Sequence, residues 1–473
     1  MPVDWSDWSV ESFRRARETK RPILLALVAS WSPWSRMMDR EAYSDPEIAR
    51  LAAADFVAIR ADVDRRPDVN DRYNPGAIPA VALLDSEGTL LYATAYMDAD
   101  ELRMILGQLV ESYKAGPAKL GEAARERDEK VRAILRGRHP VPGVLGPEIV
   151  TRTLEGILAD LDPIHGGFGR GAKLPLPASL MLLAECVKDD PRVRPALAGV
   201  LESLMTRGLA DRVEEGFFAG CAGEGWTRPS TEKLLDVNAR LARAFFAGGR
   251  ALGDERFILK SGETVDWIRS TLLDPDRGEF FGSQSADEEY YSRDAKGRSE
   301  MARPPVDRTV YVDRSALAAS AFLALGVPAS AAIAKRALDG LLESGGEKHC
   351  EGGSTGLLRD RVALGHALLD DGRTVEAERI GSRLVADFWS AEEQGLLDRR
   401  PGVEELGELS RPRSDPAETG EGARFLLRLA TAANEPRYRA DAERILRGFP
   451  DFAPDWGHST AEIASAVLLW LKP

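Results

Sequence analysis

Two kinds of residue in this 473-residue chain are spaced as reactive groups would be. The first is a pair of serines, Ser32 and Ser35, in the stretch Trp31-Ser32-Pro33-Trp34-Ser35 that ends an apolar run. Cysteines at that spacing would form a redox dithiol, because a helix N-terminus lowers a thiol pKa and supplies the attacking thiolate. A serine hydroxyl has neither that acidity nor a redox couple, so thiol-disulfide exchange is not expected. As a hydroxyl nucleophile Ser32 would need a neighbouring base, and no histidine precedes His139. The serines also have a structural account: Ser32 caps a helix whose first position is Pro33, where the missing N–H costs nothing. Trp31 and Trp34 either pack inside or cover a groove for a protein partner.

The second kind lies beyond residue 145, beside glycine-rich loops. Asp287, Glu232 and Asp360 are the candidate catalytic carboxylates. Glycoside hydrolysis needs two carboxyl groups roughly 5 to 10 Å apart, one of them protonated; Asp287 with Glu232 is the preferred pair and Asp360 the next choice. Lys173, Trp226, Arg228, Lys233, Gln284 and His458 are the candidate ligand-binding residues. A tryptophan stacks on the apolar face of a sugar ring, while charged and amide groups bind its hydroxyls. Glu232-Lys233 and Asp360-Arg361 fit inter-helix ion pairs equally well. Epimerisation would want two bases, often histidines, and with only His458 and His165 near these loops it ranks below hydrolysis.

These groups must be positioned by two different architectures. Residues 9–19 read as a helix, and the continuous apolar run 21–30 as a strand covered on both faces. A helical segment follows to about residue 54, then strands at 55–64, 77–86 and 89–97, the last two joined by Asp85-Ser86-Glu87-Gly88, and a helix at 98–113. That β-α-β-α-β-β-α order, with Pro79 entering the third strand, is thioredoxin-like. Residues 114–145 read as a linker broken by Pro140, Pro142 and Gly143. From 146 to 473 the chain reads as wholly helical, with helices near 147–161, 176–189, 191–211, 230–252, 254–273, 313–326, 328–343, 356–371, 374–390, 417–432, 435–448 and 459–471. The stretch LDPIHGGFG at 161–169 recurs as LDPDRGEFFG at 273–282. Related glycine-containing segments occur at 214–220, 350–358, 392–398 and 451–457, each between an odd-numbered helix and the next. Six hairpins with such loops at one end suggest an (α/α)6 toroid, although an open solenoid would give the same period. The fold class expected is therefore multidomain: an N-terminal α/β thioredoxin-like domain at 1–113, then an all-α six-hairpin toroid at 146–473.

With these motifs in place, the chain resembles the family that includes bacterial YyaL and spermatogenesis-associated protein 20. FVAIRADVDRRPDVNDRY and AIPAVALLDSEG are similar to its Val-Asp-Arg-Glu-Glu-Arg-Pro-Asp and Trp-Pro segments. Lys173, Pro175, Trp226, Pro229, Glu232, Lys233, Asn238 and Asp287 match motifs of its second half. The family's two cysteines are replaced by Ser32 and Ser35, and Ser230 stands where its motif has histidine. The resemblance implies a carbohydrate ligand through the likeness of that second half to six-hairpin glycosidases and N-acylglucosamine 2-epimerases.

Composition limits the partners. Hydrophobic residues are 44% and charged residues 29%, the balance of a soluble globular protein. The formal charge is −13 with no basic run, so neither a nucleic-acid nor a membrane surface is expected. Cys186, Cys221 and Cys350 are too dispersed for a disulfide framework. No metal and no cofactor is expected, and the absence of a secretory pattern at the N-terminus makes a cytoplasmic location the expectation.

Overall fold

The computed structural model describes residues 2–116, 120–126, 130, 144–448 and 457–472. The chain divides into two compact units. The first comprises Met1–Gly137 together with two later segments, Gly352–Thr355 and Arg399–Pro412; the second comprises the rest. Much of the expected linker, 114–145, lies outside the described residues.

In the first unit, β1 (Ile23–Val28), β2 (Val57–Asp62), β3 (Ala80–Leu84) and β4 (Leu90–Thr94) form one sheet in the order β2-β1-β3-β4. β1 runs parallel to β2, while β3 is antiparallel to both β1 and β4. Every residue of β1 is buried, as its unbroken apolar sequence requires. The helices are α1 (Val10–Thr19), α2 (Pro33–Arg40), α3 (Pro46–Asp55), α4 (Pro67–Tyr73) and α5 (Ala99–Ala115). The single helical segment expected up to about residue 54 is two helices, because Pro46 lacks an N–H and can only begin a helix. Asp45 caps that second start, its carboxylate accepting the N–H groups of Glu47 and Ile48 at 2.9 Å each. At the β3–β4 turn, Gly88 adopts φ +88°, and an added Cβ would lie 2.6 Å from the Gly407 Cα. Only glycine combines that turn with that approach.

The two later segments complete the first unit. Leu406 and Leu409 are buried in the same cluster as Trp8, Phe13 and Tyr73, and the Tyr73 hydroxyl accepts the N–H of Glu408 at 2.8 Å. Asp68, from the Arg66-Pro67-Asp68 motif, is fully buried beneath them. Its carboxylate is bidentate to Arg66 at 3.0 Å, accepts the Ser354 hydroxyl and lies 3.3 Å from Arg399. These cations and hydrogen bonds hold its pKa below the usual carboxylate value against the opposing effect of burial.

The second unit contains, among the described residues, twelve long helices: α6 (Pro147–Ala159), α7 (Pro177–Cys186), α8 (Val193–Thr206), α9 (Leu235–Leu252), α10 (Glu255–Thr271), α11 (Val312–Ala324), α12 (Pro328–Glu343), α13 (Leu358–Asp370), α14 (Thr374–Phe388), α15 (Pro416–Ala432), α16 (Pro436–Leu446) and α17 (Ala461–Leu471). α7 packs on α9, α9 on α11, α11 on α13, α13 on α15, α15 on α17, and α17 returns to α7. That ring of inner helices closes the (α/α)6 toroid, which periodicity alone had left open. Small residues permit the close approach: α11 reads VDRSALAASAFLA, with four of its alanines buried.

The loops are less irregular than expected. Lys233–Leu234, Ser283–Gln284 and Val306–Asp307 form a three-stranded ladder, and Gly220–Gly223 pairs with Thr227–Ser230. α9 therefore begins at Leu235 rather than 230. The repeated loops share a closure: the N–H of Asp162 donates to Gly167, that of Asp211 to Gly216 and that of Asp274 to Glu279, at 3.0, 3.1 and 2.9 Å. The 451–457 loop lies, except for Gly457, outside the described residues.

Candidate functional site

The inner ring encloses a cavity of about 140 Å³ to which all six inner helices contribute. Its apolar lining is Ala178, Met181, Leu317 and Ala363, and its charged lining is concentrated on α9, α13, α15 and α17. Arg240 and Arg243 project from α9, His366 and Asp370 from α13, Glu421, Arg424 and Arg428 from α15, and Glu462 from α17. The spacings of three and four residues place each set on one helix face.

The lining groups form a partly closed ion network. Arg240 pairs with Glu421 at 2.7 Å. Arg428 hydrogen-bonds Asp370, which also lies 3.9 Å from Arg243. Arg424 pairs with Glu185 and lies 3.9 Å from Glu462. His366 has a fixed tautomer: a guanidinium has no acceptor, so Nδ1 must accept the Arg428 N–H at 2.8 Å, and Nε2–H donates to the Glu421 carbonyl at 3.2 Å. Burial and the charges of Arg428 and Arg424 hold this imidazole neutral, with its pKa well below the ordinary histidine value. Burial, reinforced by the Glu421 charge, pushes Glu462 up to about 7. Glu462 can therefore give or take a proton near neutrality.

None of the nine residues singled out from sequence as catalytic or ligand-binding lines this cavity. Lys173 and Lys233 are fully buried loop staples. Lys173 donates to Asp162 at 2.7 Å, and Lys233 to Asp211 at 2.6 Å, the two aspartates occupying equivalent places in the repeat. Trp226 is buried with its indole N–H donating to the carbonyls of His165 and Gly166 at 3.2 Å, so its ring is not offered to a sugar. Arg228 is exposed on the short strand Thr227–Ser230. Gln284 is buried and accepts the Tyr291 hydroxyl at 2.9 Å. His458 bonds Ser179 at 2.8 Å and Asp160 at 3.1 Å.

The candidate carboxylates divide similarly. Asp287 caps the short helix Glu288–Tyr291 by accepting the Tyr290 N–H at 2.9 Å, and its own N–H donates to Thr231 at 3.1 Å. That contact puts it at the same end of the ladder as Glu232, whose carboxyl burial pushes above its ordinary pKa. Asp360 instead holds His349 Nδ1 at 2.8 Å, with Asp313 at 3.8 Å from the same nitrogen. The three ligand atoms lie within 4.8 Å of one another, a spacing that a metal ion could also bridge. Although burial opposes it, the two carboxylates push His349 up to about 9, so at neutral pH its proton sits between them.

A stability prediction follows from the direction of that shift. The unfolded histidine titrates near 6.5, so the bridge stabilises fully below that value and is lost as pH rises through about 9. The second unit should lose up to roughly 3 kcal/mol between pH 6.5 and 9, and the loss should be much smaller in His349→Gln. Urea midpoints measured at both pH values check this; equal slopes in the two proteins would contradict it.

In the first unit, Ser32 Oγ accepts the Ser35 N–H and Ser35 Oγ accepts the Ala29 N–H, each at 3.2 Å, so both hydroxyls serve the entry to α2. Trp31 donates to Asp64 at 2.8 Å, whereas Trp34 is 50% exposed and meets Tyr96 edge-on. Pro79 follows a cis peptide beside β3. Residues 1–132 match the family described as Thioredox_DsbH, protein of unknown function, DUF255.

The N-terminal domain is a DsbH-type thioredoxin-like domain.

Part of the chain is similar to human spermatogenesis-associated protein 20, 27% identical over 312 residues, which are 60% of this chain and 39% of that protein. It is also similar to the Caenorhabditis elegans uncharacterized protein B0495.5, 26% identical over 261 residues, 52% of this chain and 36% of that protein. The chain thus spans less than half the length of these curated relatives. A solved D-mannose isomerase superposes with a TM-score of 0.52 at 11% identity, covering 68% of this chain and 96% of that one, a likeness of fold. The DsbH-type domain here carries Ser32 and Ser35 at the start of α2, and the toroid carries polar groups on its inner helix faces.

These cavity residues were not found in the sequence. Arg240/Arg243 and Glu421/Arg424/Arg428 stand three and four apart on helices, a spacing that solvent-facing stripes share. The charged stripes are visible in the sequence, but that they face the lumen depends on ring contacts of α9 and α15 that appear only in the folded chain.

Proposed function

We propose that the toroid binds, and processes, a small polar ligand of the carbohydrate class in its central cavity, while the DsbH-type domain is a scaffold without thiol-disulfide chemistry. The observation carrying the reading is the lumen of the ring, in which guanidinium and carboxyl groups are interspersed with the apolar side chains of Met181, Leu317 and Ala363. Sugars present that combination of hydroxyls and apolar ring faces. Glu462 supplies a carboxyl group that titrates near neutrality, the requirement for acid or base work on such a ligand. Glu232 and Asp287 remain a second carboxyl pair, with Glu232 kept toward its protonated form by burial. Trp34, exposed beside the degenerate dithiol site, is where a protein partner of the first unit would dock. A scaffold without catalysis is favoured by one observation: Lys173, Lys233 and Trp226 are all consumed in internal bonds.

The test is a thermal-shift panel of neutral and charged monosaccharides on the whole chain. At least one sugar should raise the Tm by a few degrees at concentrations well above its Kd. Ala363→Phe, which projects a ring into the cavity, should abolish the rise. A flat response across the panel removes the ligand reading and leaves the scaffold.

A further inference from the structure

The cavity carries more positive charge than its own carboxylates can answer. Four guanidinium groups line it, those of Arg240, Arg243, Arg424 and Arg428, against the carboxyl groups of Asp370, Glu421 and Glu462. Glu462, whose pKa lies at about 7, is only partly ionised near neutrality. The partners are also unevenly shared. Arg240 has Glu421, Arg424 has Glu185, and Arg428 has both Asp370 and His366. Arg243 has, among the described residues, only Asp370 at 3.9 Å, beyond hydrogen-bond distance and already taken by Arg428. Five N–H donors in a fixed fork are thus presented to the cavity without a hydrogen-bonded acceptor.

The Arg243 side chain keeps 28% of its surface open, so its donors without a hydrogen-bonded acceptor are accessible to a ligand entering the lumen. Burial together with the charges of Arg424, Arg428 and Arg240 lowers the Arg243 pKa from its ordinary value, despite Asp370. The location sharpens the point. The protein bears a formal charge of −13, so its general field repels anions, yet these four arginines converge in the lumen. A positive site within low-dielectric walls concentrates anions locally. An arginine fork matches carboxylate and phosphate oxygens bidentately.

We infer that the cavity is built for a ligand bearing an oxyanion, a carboxylate or a phosphate, which Arg243 holds by its free fork with Arg428 alongside. The inference rests on the ligand reading above and specifies it: a sugar acid or sugar phosphate in place of a neutral sugar. The side chains of Met181, Leu317 and Ala363 would meet the apolar parts of the ring, and the anionic group would lie between Arg243 and Arg428.

Titration calorimetry on the whole chain, with glucose, glucuronate, glucose 6-phosphate and inorganic phosphate as probes, tests it. Glucuronate or glucose 6-phosphate should bind at least tenfold more tightly than glucose. Arg243→Met should cost the charged sugars at least tenfold more affinity than it costs glucose, a differential loss that general unfolding would not produce. The carboxylate and phosphate arms separate the two oxyanions. Glucose binding as tightly as both charged sugars overturns the oxyanion inference and leaves the carbohydrate reading standing. Inorganic phosphate binding as tightly as glucose 6-phosphate, and losing affinity in Arg243→Met, supports the arginine site and removes the sugar. Failure of all four probes to bind overturns both.

Discussion

Replacing Asp68 by alanine is expected to destabilise the first unit by about 3–5 kcal/mol, because the carboxylate is the common partner of two buried cations. Asp68 has no exposed side-chain surface, and the side chains of Arg66 and Arg399 are 10% and 1% exposed. Removing the anion leaves Arg66 with Glu404 at 3.0 Å and takes one carboxylate contact from Arg399, so much of the loss is the cost of less well compensated charge. The substitution also removes the acceptor of the Ser354 hydroxyl. Two separated chain segments, Gly352–Thr355 and Arg399–Pro412, would then lose an anchor that fixes them in this unit. Urea denaturation followed by tryptophan emission, to which Trp8 in the adjacent core contributes, reads the effect. Asp68→Ala with Arg399→Met should recover part of the stability, since the double variant no longer buries a guanidinium that has lost one of its anionic contacts. A loss under 1 kcal/mol in the single variant would show that the cations find other partners and that this account is wrong.

Asp68 also marks the limit of what could be read along the chain. Its motif was visible, but its partners Ser354 and Arg399 stand 286 and 331 positions away, and nothing local announces them. The thioredoxin-like order was legible because β1 is apolar throughout and Gly88 breaks the chain between β3 and β4. The twelve toroid helices were legible because glycine-containing segments recur between odd-numbered helices and the next, three of the loops being closed by an aspartate N–H. Closure depended on α17 meeting α7, a contact between the two ends of the second unit that no period encodes. Lys173 and Lys233 misled for a chemical reason: lysine beside tryptophan and glycine suits a ligand as well as it suits a loop aspartate. Only depth separates the two cases, and both lysines are fully buried. The arginines of the lumen were hidden by the opposite circumstance, since polar stripes on helices ordinarily face water.

Ser32→Cys combined with Ser35→Cys is expected to convert the first unit from no insulin-reducing activity above the dithiothreitol background to at least tenfold above it. The wild-type half of this prediction rests on chemistry already present. Both serine hydroxyls accept backbone N–H groups at 3.2 Å, and neither can transfer electrons. The chain's own thiols offer no substitute: Cys186, Cys221 and Cys350 are all buried, and burial pushes the first two up to about 12 and about 11, which leaves them almost no thiolate. The variant half rests on the scaffold. Residues 32 and 35 flank the first turn of α2, three apart, a separation that places Cβ atoms roughly 5–6 Å apart on one helix face. Modest local adjustment brings such a pair within disulfide reach. A cysteine at position 32 would occupy the helix N-cap, where unsatisfied N–H groups favour the thiolate. Loss of the Ser32 cap should cost about 1 kcal/mol of stability, small enough for the domain to remain folded. Insulin turnover by the wild-type chain would overturn the assignment of a redox-silent domain. An inert but folded double-cysteine variant would show that the site has lost more than its sulfur atoms.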